Sequence, residues 1–401
     1  MDEAIGVGGN RVTQFVQRRF ELISLFLVWV LIFITGRFAL THGHGWDAEV
    51  YCGAAQMDAM RQNPYIQLIP SQLPHRLPWL YPPLLLNLFR LLCAEPFDYP
   101  RLYILYFAVI LFASVIIWQP RRDTLLAFTL AFGGFGGFFW SLLTGNLELV
   151  LLLPVSLAIY ALERERWSTA AFWLGITAVP KLVHLVYLLS LLWLPISWKE
   201  RAKALGIGIS TFFVLWLGLT WSRPDLAPSY LATLVKEMAT TREPGSFYHP
   251  AFPFVWATLL GWPNDARGLL AGVIAGMVMA ALFFWLIWRF LLPSLQPAQR
   301  NSFLAVTGFL LPTFFLPRFS PYTFVILLPP FFVLLRRRPA VGKGLALTPA
   351  VFPLLPSLLY QSPLKVFWIT YNQPLAMFLA LSTCLILEWR DARISKVEQS
   401  L

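Results

Sequence analysis

Two carboxylates, Asp47 and Glu49, stand in the stretch Gly45-Trp46-Asp47-Ala48-Glu49-Val50-Tyr51, just past an apolar run from Leu22 to Leu40. An acid pair at the point where a chain leaves a membrane suits a general base for a hydroxyl, or a cation site. A base needs hydrogen-bond reach of the proton it removes and a pocket that tunes its pKa. Lys181, in Thr177-Ala178-Val179-Pro180-Lys181-Leu182-Val183-His184, is the second candidate. It interrupts about thirty mostly apolar residues, and a lysine at membrane depth is costly unless it faces a cavity or a partner. Pro180 frees backbone groups beside it, as happens where helices border such a cavity. An ammonium so placed binds phosphate; the plain alternative is a lysine snorkelling at a hairpin tip. His184 reads as a packing or interfacial residue.

Thr144-Gly145-Asn146-Leu147-Glu148 joins two apolar runs. Gly and Asn suit a turn or helix start, and Asn146 and Glu148 are candidates for contacts with sugar hydroxyls. Arg318, in Leu316-Pro317-Arg318-Phe319-Ser320-Pro321-Tyr322, is an isolated arginine between two spans. Its planar fork matches a phosphate or pyrophosphate; otherwise it anchors to lipid headgroups. Arg242 and His249 lie in a later polar stretch and are further candidates for substrate contacts.

These residues have to be carried by membrane-spanning helices. The chain of 401 residues is 58% hydrophobic and 13% charged, where a soluble protein carries about 25% charged residues. Apolar runs long enough for the roughly 30 Å hydrocarbon core recur from end to end, and no polar block is long enough for a soluble domain. The expected class is an all-α polytopic membrane protein forming one transmembrane domain over 1–401. The first apolar run reads as a retained span that also targets the chain, since no small-residue cleavage site precedes it.

The net charge of +11 does not point to nucleic acid. Basic residues gather in short loops, where they set orientation by the positive-inside rule. Keeping Arg18-Arg19, Arg121-Arg122, Arg164 with Arg166, Lys199 to Lys203, Arg289 with Arg300, Arg336 to Arg338 and the tail around Arg390 in the cytoplasm requires about twelve spans. Both termini are then cytoplasmic. The spans fall near 20–41, 101–118, 123–143, 147–162, 168–180, 182–197, 203–222, 267–290, 301–317, 321–335, 343–360 and 364–388. Leu80 to Leu92 is too short to cross and is placed outside, as a helix in the interface or dipping part-way in, started by Tyr81-Pro82-Pro83.

Two long outer loops carrying juxtamembrane or re-entrant helices result, 42–100 and 221–266, the second with a short apolar piece from Ala251 to Trp262. Asp47, Glu49, His75, Arg76, Tyr81, Asn146, Glu148, Lys181, Arg242, His249 and Arg318 all fall on the outer side, which implies an active site opening there. The three cysteines, Cys52, Cys93 and Cys384, are scattered without a CxxC pair or a histidine at ligand spacing. That pattern supports neither a zinc site nor a disulfide framework.

Taken in order, Trp46-Asp47-Ala48-Glu49-Val50-Tyr51, Asn63-Pro64-Tyr65, Tyr81-Pro82-Pro83, Thr144-Gly145-Asn146 and Ala178-Val179-Pro180-Lys181 resemble integral-membrane glycosyltransferases of the GT-C superfamily. The nearest likeness is to glycosyltransferase family 87, which includes polyprenol-phosphate-mannose-dependent α-mannosyltransferases. The motifs cover about the first half of the chain; the second half is similar mainly in architecture. The turn lacks the family's usual glutamine, and a histidine that many members carry near the late Ser-Pro is absent from Pro317-Arg318-Phe319-Ser320-Pro321-Tyr322.

The resemblance implies an Asp base in the first outer loop, here Asp47, with Glu49 beside it, and a lipid-monophosphate sugar donor held by basic residues, here Lys181 and Arg318. Tyr51, Tyr81 and Tyr322 are further candidates for substrate contacts. The expected partners are a polyprenyl-phosphate hexose donor, a glycolipid or cell-envelope glycan acceptor and membrane lipids. No cofactor is required: two cations beside a monophosphate leave little need for a divalent metal bridging Asp47 and Glu49. The expected location is the cytoplasmic membrane. The alternative class is a polytopic transporter or flippase, against which stand the lack of visibly duplicated halves and the two long outer loops. A third option is a non-catalytic assembly subunit that has kept the fold.

Overall fold

The computed structural model describes residues 45–67, 69, 79–118, 137–239, 251–263, 265–295, 297–317, 319–342, 344 and 363–398. Among them every regular element is a helix. The span expected at 20–41, and most of those at 123–143 and 343–360, lie outside the described residues.

The chain enters with α1, Trp46–Ala59, whose first turn carries Asp47 and Glu49. The two acids therefore stand on a helix and not in a loop; negative charge at a helix N-terminus complements the macrodipole. The short helix α2, Leu84–Leu92, follows Pro83, as the Tyr-Pro-Pro start implies. It turns Leu86 and Phe89 inward and leaves Leu88 and Leu91 exposed. Next come α3, Tyr99–Ile117, and α4, Gly137–Thr144. A 3₁₀ turn, Leu147–Leu151, leads into α5, Leu152–Glu163, and α6 spans Trp167–Ala178.

After α6 the chain runs as a 3₁₀ helix from Leu182 to Trp193, where a regular span was expected to 197. Helix α7, Trp198–Trp221, opens with a capping box in which Ser197 and Glu200 satisfy each other's backbone amides. The stretch 221–266, expected to carry juxtamembrane or re-entrant helices, contains two, α8 (Ala227–Ala239) and α9 (Phe252–Leu259). Asp265 caps α10, Ala266–Leu286, by accepting from the amides of Arg267 and Gly268. Helix α11, Pro297–Leu310, continues as a 3₁₀ turn, Leu311–Phe314. A further 3₁₀ segment, Pro321–Leu327, runs into α12, Leu328–Leu335, and α13 spans Pro363–Glu398.

Three of the described helical stretches are long and apolar enough to cross a membrane: Tyr99–Ile117, Trp198–Trp221 and Ala266–Leu291. Their outward faces carry large apolar side chains, among them Leu105, Val109, Phe112, Val214, Ile274 and Val278. Such a surface suits hydrocarbon and not water. The other apolar elements are shorter and pack inside: α6 lies against both α5 and α7, and the 182–193 segment against α11. Close approach of α6 and α7 depends on Gly175, where an added Cβ would fall 2.4 Å from the Gly208 carbonyl oxygen.

Cys52 on α1 and Cys93 at the end of α2 form a disulfide, with Cα atoms 5.7 Å apart. This corrects the expectation that no cysteines pair. Their 41-residue separation hid a contact created by packing α2 onto α1. Cys384 is free and buried. The crosslink closes a loop whose entropic contribution is about 4 kcal/mol in the chain-entropy account. Denatured, unreduced protein should therefore expose one titratable thiol per chain, and three after reduction. Cys52→Ser should lower the melting temperature, and three thiols before reduction would exclude the bridge.

Candidate functional site

The turn between α4 and the following 3₁₀ segment organises the site. Gly145 has φ +71°, and an added Cβ would come within 2.8 Å of the Ala48 side chain, so glycine is needed for both the conformation and the close approach. Tyr99 fixes the same residue by donating its hydroxyl hydrogen to the Gly145 carbonyl at 3.1 Å. Asn146 caps the 3₁₀ turn, its Oδ1 accepting from the Glu148 amide at 2.9 Å. Its Nδ2 then points the other way and donates to Asp47 Oδ2 at 2.7 Å. One asparagine thus joins the start of α1 to a turn 99 residues later in the chain.

Asp47 is half-buried. Desolvation raises its pKa above the ordinary carboxylate value, while the Asn146 amide, the Thr144 hydroxyl and the charge of Lys181 act in the opposite direction. Glu49 is not brought beside it. Residues two apart on one α-helix point to different sides, so the acids do not form a paired cation site. Among the described residues no group of three or more His, Cys, Asp or Glu could hold a metal ion.

Glu148 is 1% exposed and does not present itself to a sugar. Its Oε1 accepts from Lys181 Nζ at 2.7 Å and from the Thr323 hydroxyl at 3.1 Å; its Oε2 lies 3.1 Å from His184 Nε2. A carboxylate this deep persists only when paired and hydrogen-bonded. The local backbone explains two of the partners. Helix α6 ends at Ala178, and Lys181, after Pro180, is extended with φ −140° and caps the next 3₁₀ helix. In 3₁₀ geometry positions i and i+3 share a face, so Lys181 and His184 reach the same carboxylate. His184 Nδ1 is buried without a hydrogen-bond partner among the described residues. That arrangement favours the tautomer with hydrogen on Nε2, donating to Glu148.

Lys181 is also bound from the late half of the chain, its Nζ lying 4.7 Å from the Tyr322 ring centroid. The ammonium has three donors, and its side chain is 24% exposed, which leaves it capacity toward an anion. Tyr81 completes the group: its hydroxyl lies 3.0 Å from that of Tyr51, which accepts from the Leu147 amide at 3.1 Å.

Behind them Trp79, Phe89 and Tyr99 pack on Tyr51 at 4.7–6.4 Å between ring centroids. Edge-on and tilted pairs of this kind are each worth about 0.5–1.5 kcal/mol beyond their burial. Farther out, Arg223 takes Asp58 in a two-pronged ion pair at 2.9 and 3.1 Å, tying the end of α1 to the segment before α8.

The structure therefore assembles Asp47, Asn146, Tyr51, Tyr81, Lys181 and Tyr322, with Glu148 behind Lys181. Arg318, Arg242 and His249 lie outside the described residues. Sequence reasoning missed His184 and Thr323 as partners of Glu148. The three-residue step from Lys181 to His184 was visible, but it points to one face only if that segment is 3₁₀. Thr323 is 175 residues from Glu148 and carried no local signal.

Comparison with known proteins gives one family: the model of glycosyltransferase family 87 matches residues 79–316, more than half of the chain. Tyr81, Asn146, Glu148, Lys181 and His184 fall inside that stretch; Asp47, Tyr51, Tyr322 and Thr323 join them from outside it. No curated protein and no solved structure matches.

Removing the Glu148 carboxylate should cost stability. Glu148→Ala leaves a buried histidine and a largely buried ammonium without their acceptor, an effect of about 3–5 kcal/mol for a broken buried pair. Glu148→Gln, which keeps the shape and one acceptor oxygen, should lose less. Thermal melting in detergent checks the ranking, and an Ala variant as stable as wild type would contradict it.

Proposed function

The chain belongs to glycosyltransferase family 87, and from that premise we propose that it transfers a hexose, mannose by the resemblance, from a polyprenyl-phosphate donor. The acceptor is a hydroxyl of a glycolipid or cell-envelope glycan. Asp47 takes the proton of that hydroxyl while its oxygen attacks the anomeric carbon from the face opposite the phosphate, inverting the configuration. The bond from the anomeric carbon to the phosphate oxygen breaks, and its electron pair leaves with the polyprenyl phosphate. The Lys181 ammonium stabilises the charge that grows there, with Arg318 assigned to the same phosphate from its sequence position. The lipid tail lies between spans and supplies positioning.

The observation that carries this reading is the pairing of an oriented, half-open carboxylate with an ammonium close enough to act on it electrostatically. A general base must be held toward its proton, and the Asn146 bond holds Asp47 by Oδ2. No metal is assigned to the step, because the divergence of Asp47 and Glu49 on α1 offers no bridging pair.

The wider frame is a single GT-C-like domain of about twelve spans with cytoplasmic termini, its site on the extracytoplasmic face of the cytoplasmic membrane between the stretches 42–100 and 221–266. The Cys52–Cys93 bridge supports that orientation, since disulfides persist on the oxidising side of such a membrane.

Purified protein incubated with radiolabelled polyprenyl-phosphate hexoses and a host lipid extract should move label into a new product. Asp47→Asn should reduce the rate by about 10²–10⁴-fold, the usual worth of a general base, and Lys181→Ala should also reduce it, with melting curves run beside both variants. Equal transfer by all three proteins would remove the assigned roles. The pH profile offers a second check. A base is lost as pH falls through its pKa, and that of Asp47 is raised from 3.8. The acid limb of kcat/KM should accordingly have its midpoint above that value, and a limb at or below it would exclude Asp47 as the titrating base.

A further inference from the structure

The Tyr51 side chain is 2% exposed, and its hydroxyl has two polar neighbours: the Leu147 amide at 3.1 Å and the Tyr81 hydroxyl at 3.0 Å. An amide N–H only donates, so the Tyr51 oxygen accepts there. A phenol carries one hydrogen. If Tyr81 donated as well, the Tyr51 hydrogen would be buried with no acceptor among the described residues, at the full desolvation cost of that group. Tyr51 therefore donates to Tyr81, and the Tyr81 hydrogen leaves in another direction.

Tyr81 is held for this. Its carbonyl oxygen accepts from the Tyr65 hydroxyl at 2.7 Å, which itself accepts from Trp79 Nε1 at 3.0 Å. The charged groups acting on the Tyr81 hydroxyl are Lys181 and Asp47, with Tyr322 beside them. Among the described residues no protein acceptor is found for the released hydrogen. A hydroxyl whose hydrogen is unclaimed and an ammonium that acts on it electrostatically, with Tyr51 supporting one and Glu148 the other, suit an anionic oxygen.

We infer that Tyr81 donates a hydrogen bond to the phosphate of the prenyl-phosphate donor, beside Lys181, with the direction of that bond imposed by Tyr51 and the Leu147 amide. This rests on the donor class proposed above and adds a residue that binds the leaving group, together with one, Tyr51, that acts through it. Tyr51 is a positioning residue: it touches no substrate and decides which way the Tyr81 hydrogen points.

The test uses the full chain in detergent and two probes of equal tail length, farnesyl phosphate and farnesol. Neither carries a sugar, so a contact from Tyr81 to the sugar would not register. Wild type should bind the phosphate in preference to the alcohol. Tyr81→Phe should weaken binding of the phosphate by about tenfold, as for one lost bond to a charged group, and leave farnesol unchanged. Tyr51→Phe should weaken the phosphate by less, also sparing farnesol. Equal loss of both probes would mean a structural role and overturn the inference. Tyr81→Phe with the full wild-type preference would overturn it while leaving the donor class standing. An unchanged Tyr51→Phe would overturn the imposed direction. A wild type without preference for the phosphate would remove the donor class and this assignment together.

Discussion

A carboxylate with almost no exposed surface, Glu148, is the constraint on which the site depends. Burying it alone would cost far more than any one contact returns. The chain meets that cost with three partners drawn from three places: Lys181 and His184 on the segment after α6, and Thr323 from the late 3₁₀ segment. The requirement runs both ways. Lys181 is held at a defined point by an acid it cannot escape, and the segments carrying its partners are drawn together around one residue.

The same turn works in the opposite direction. Asn146 uses its oxygen to cap the 3₁₀ turn and its amide to hold Asp47, so Asp47 and the Lys181 ammonium are positioned by residues only two apart. Two supports outside the turn keep α1 in place. The Cys52–Cys93 bridge fastens its middle to α2, and Arg223 fastens its end through Asp58. Helix α1 has few intrinsic means of holding its orientation, having no side-chain cap at Gly45. Its position is therefore a tertiary property, and a shift of α1 would move Asp47 without changing the residue.

The arrangement also explains how Asp47 and Lys181 coexist. Asp47 and Lys181 act on one another electrostatically, yet each is hydrogen-bonded to a different neighbour, Asn146 and Glu148. A direct ion pair between them would occupy both groups. With separate partners, neither is taken up by the other.

The sequence alone determined the class of the protein, because hydrocarbon length and charge depletion are properties of contiguous residues. It also marked Asp47, Gly145-Asn146 and Lys181, since a polar residue breaking an apolar run is visible without knowing its neighbours. The family was legible for the same reason, in short ordered motifs. Only the tertiary structure decided that Glu148 faces Lys181 and not a sugar, that His184 and Thr323 complete its shell, and that Cys52 pairs with Cys93. It also separated Glu49 from Asp47, because two-residue spacing means proximity in a loop and divergence on a helix. Each of these rests on distances between segments 33 to 175 residues apart, or on a backbone state, 3₁₀ or α, that local pattern does not encode.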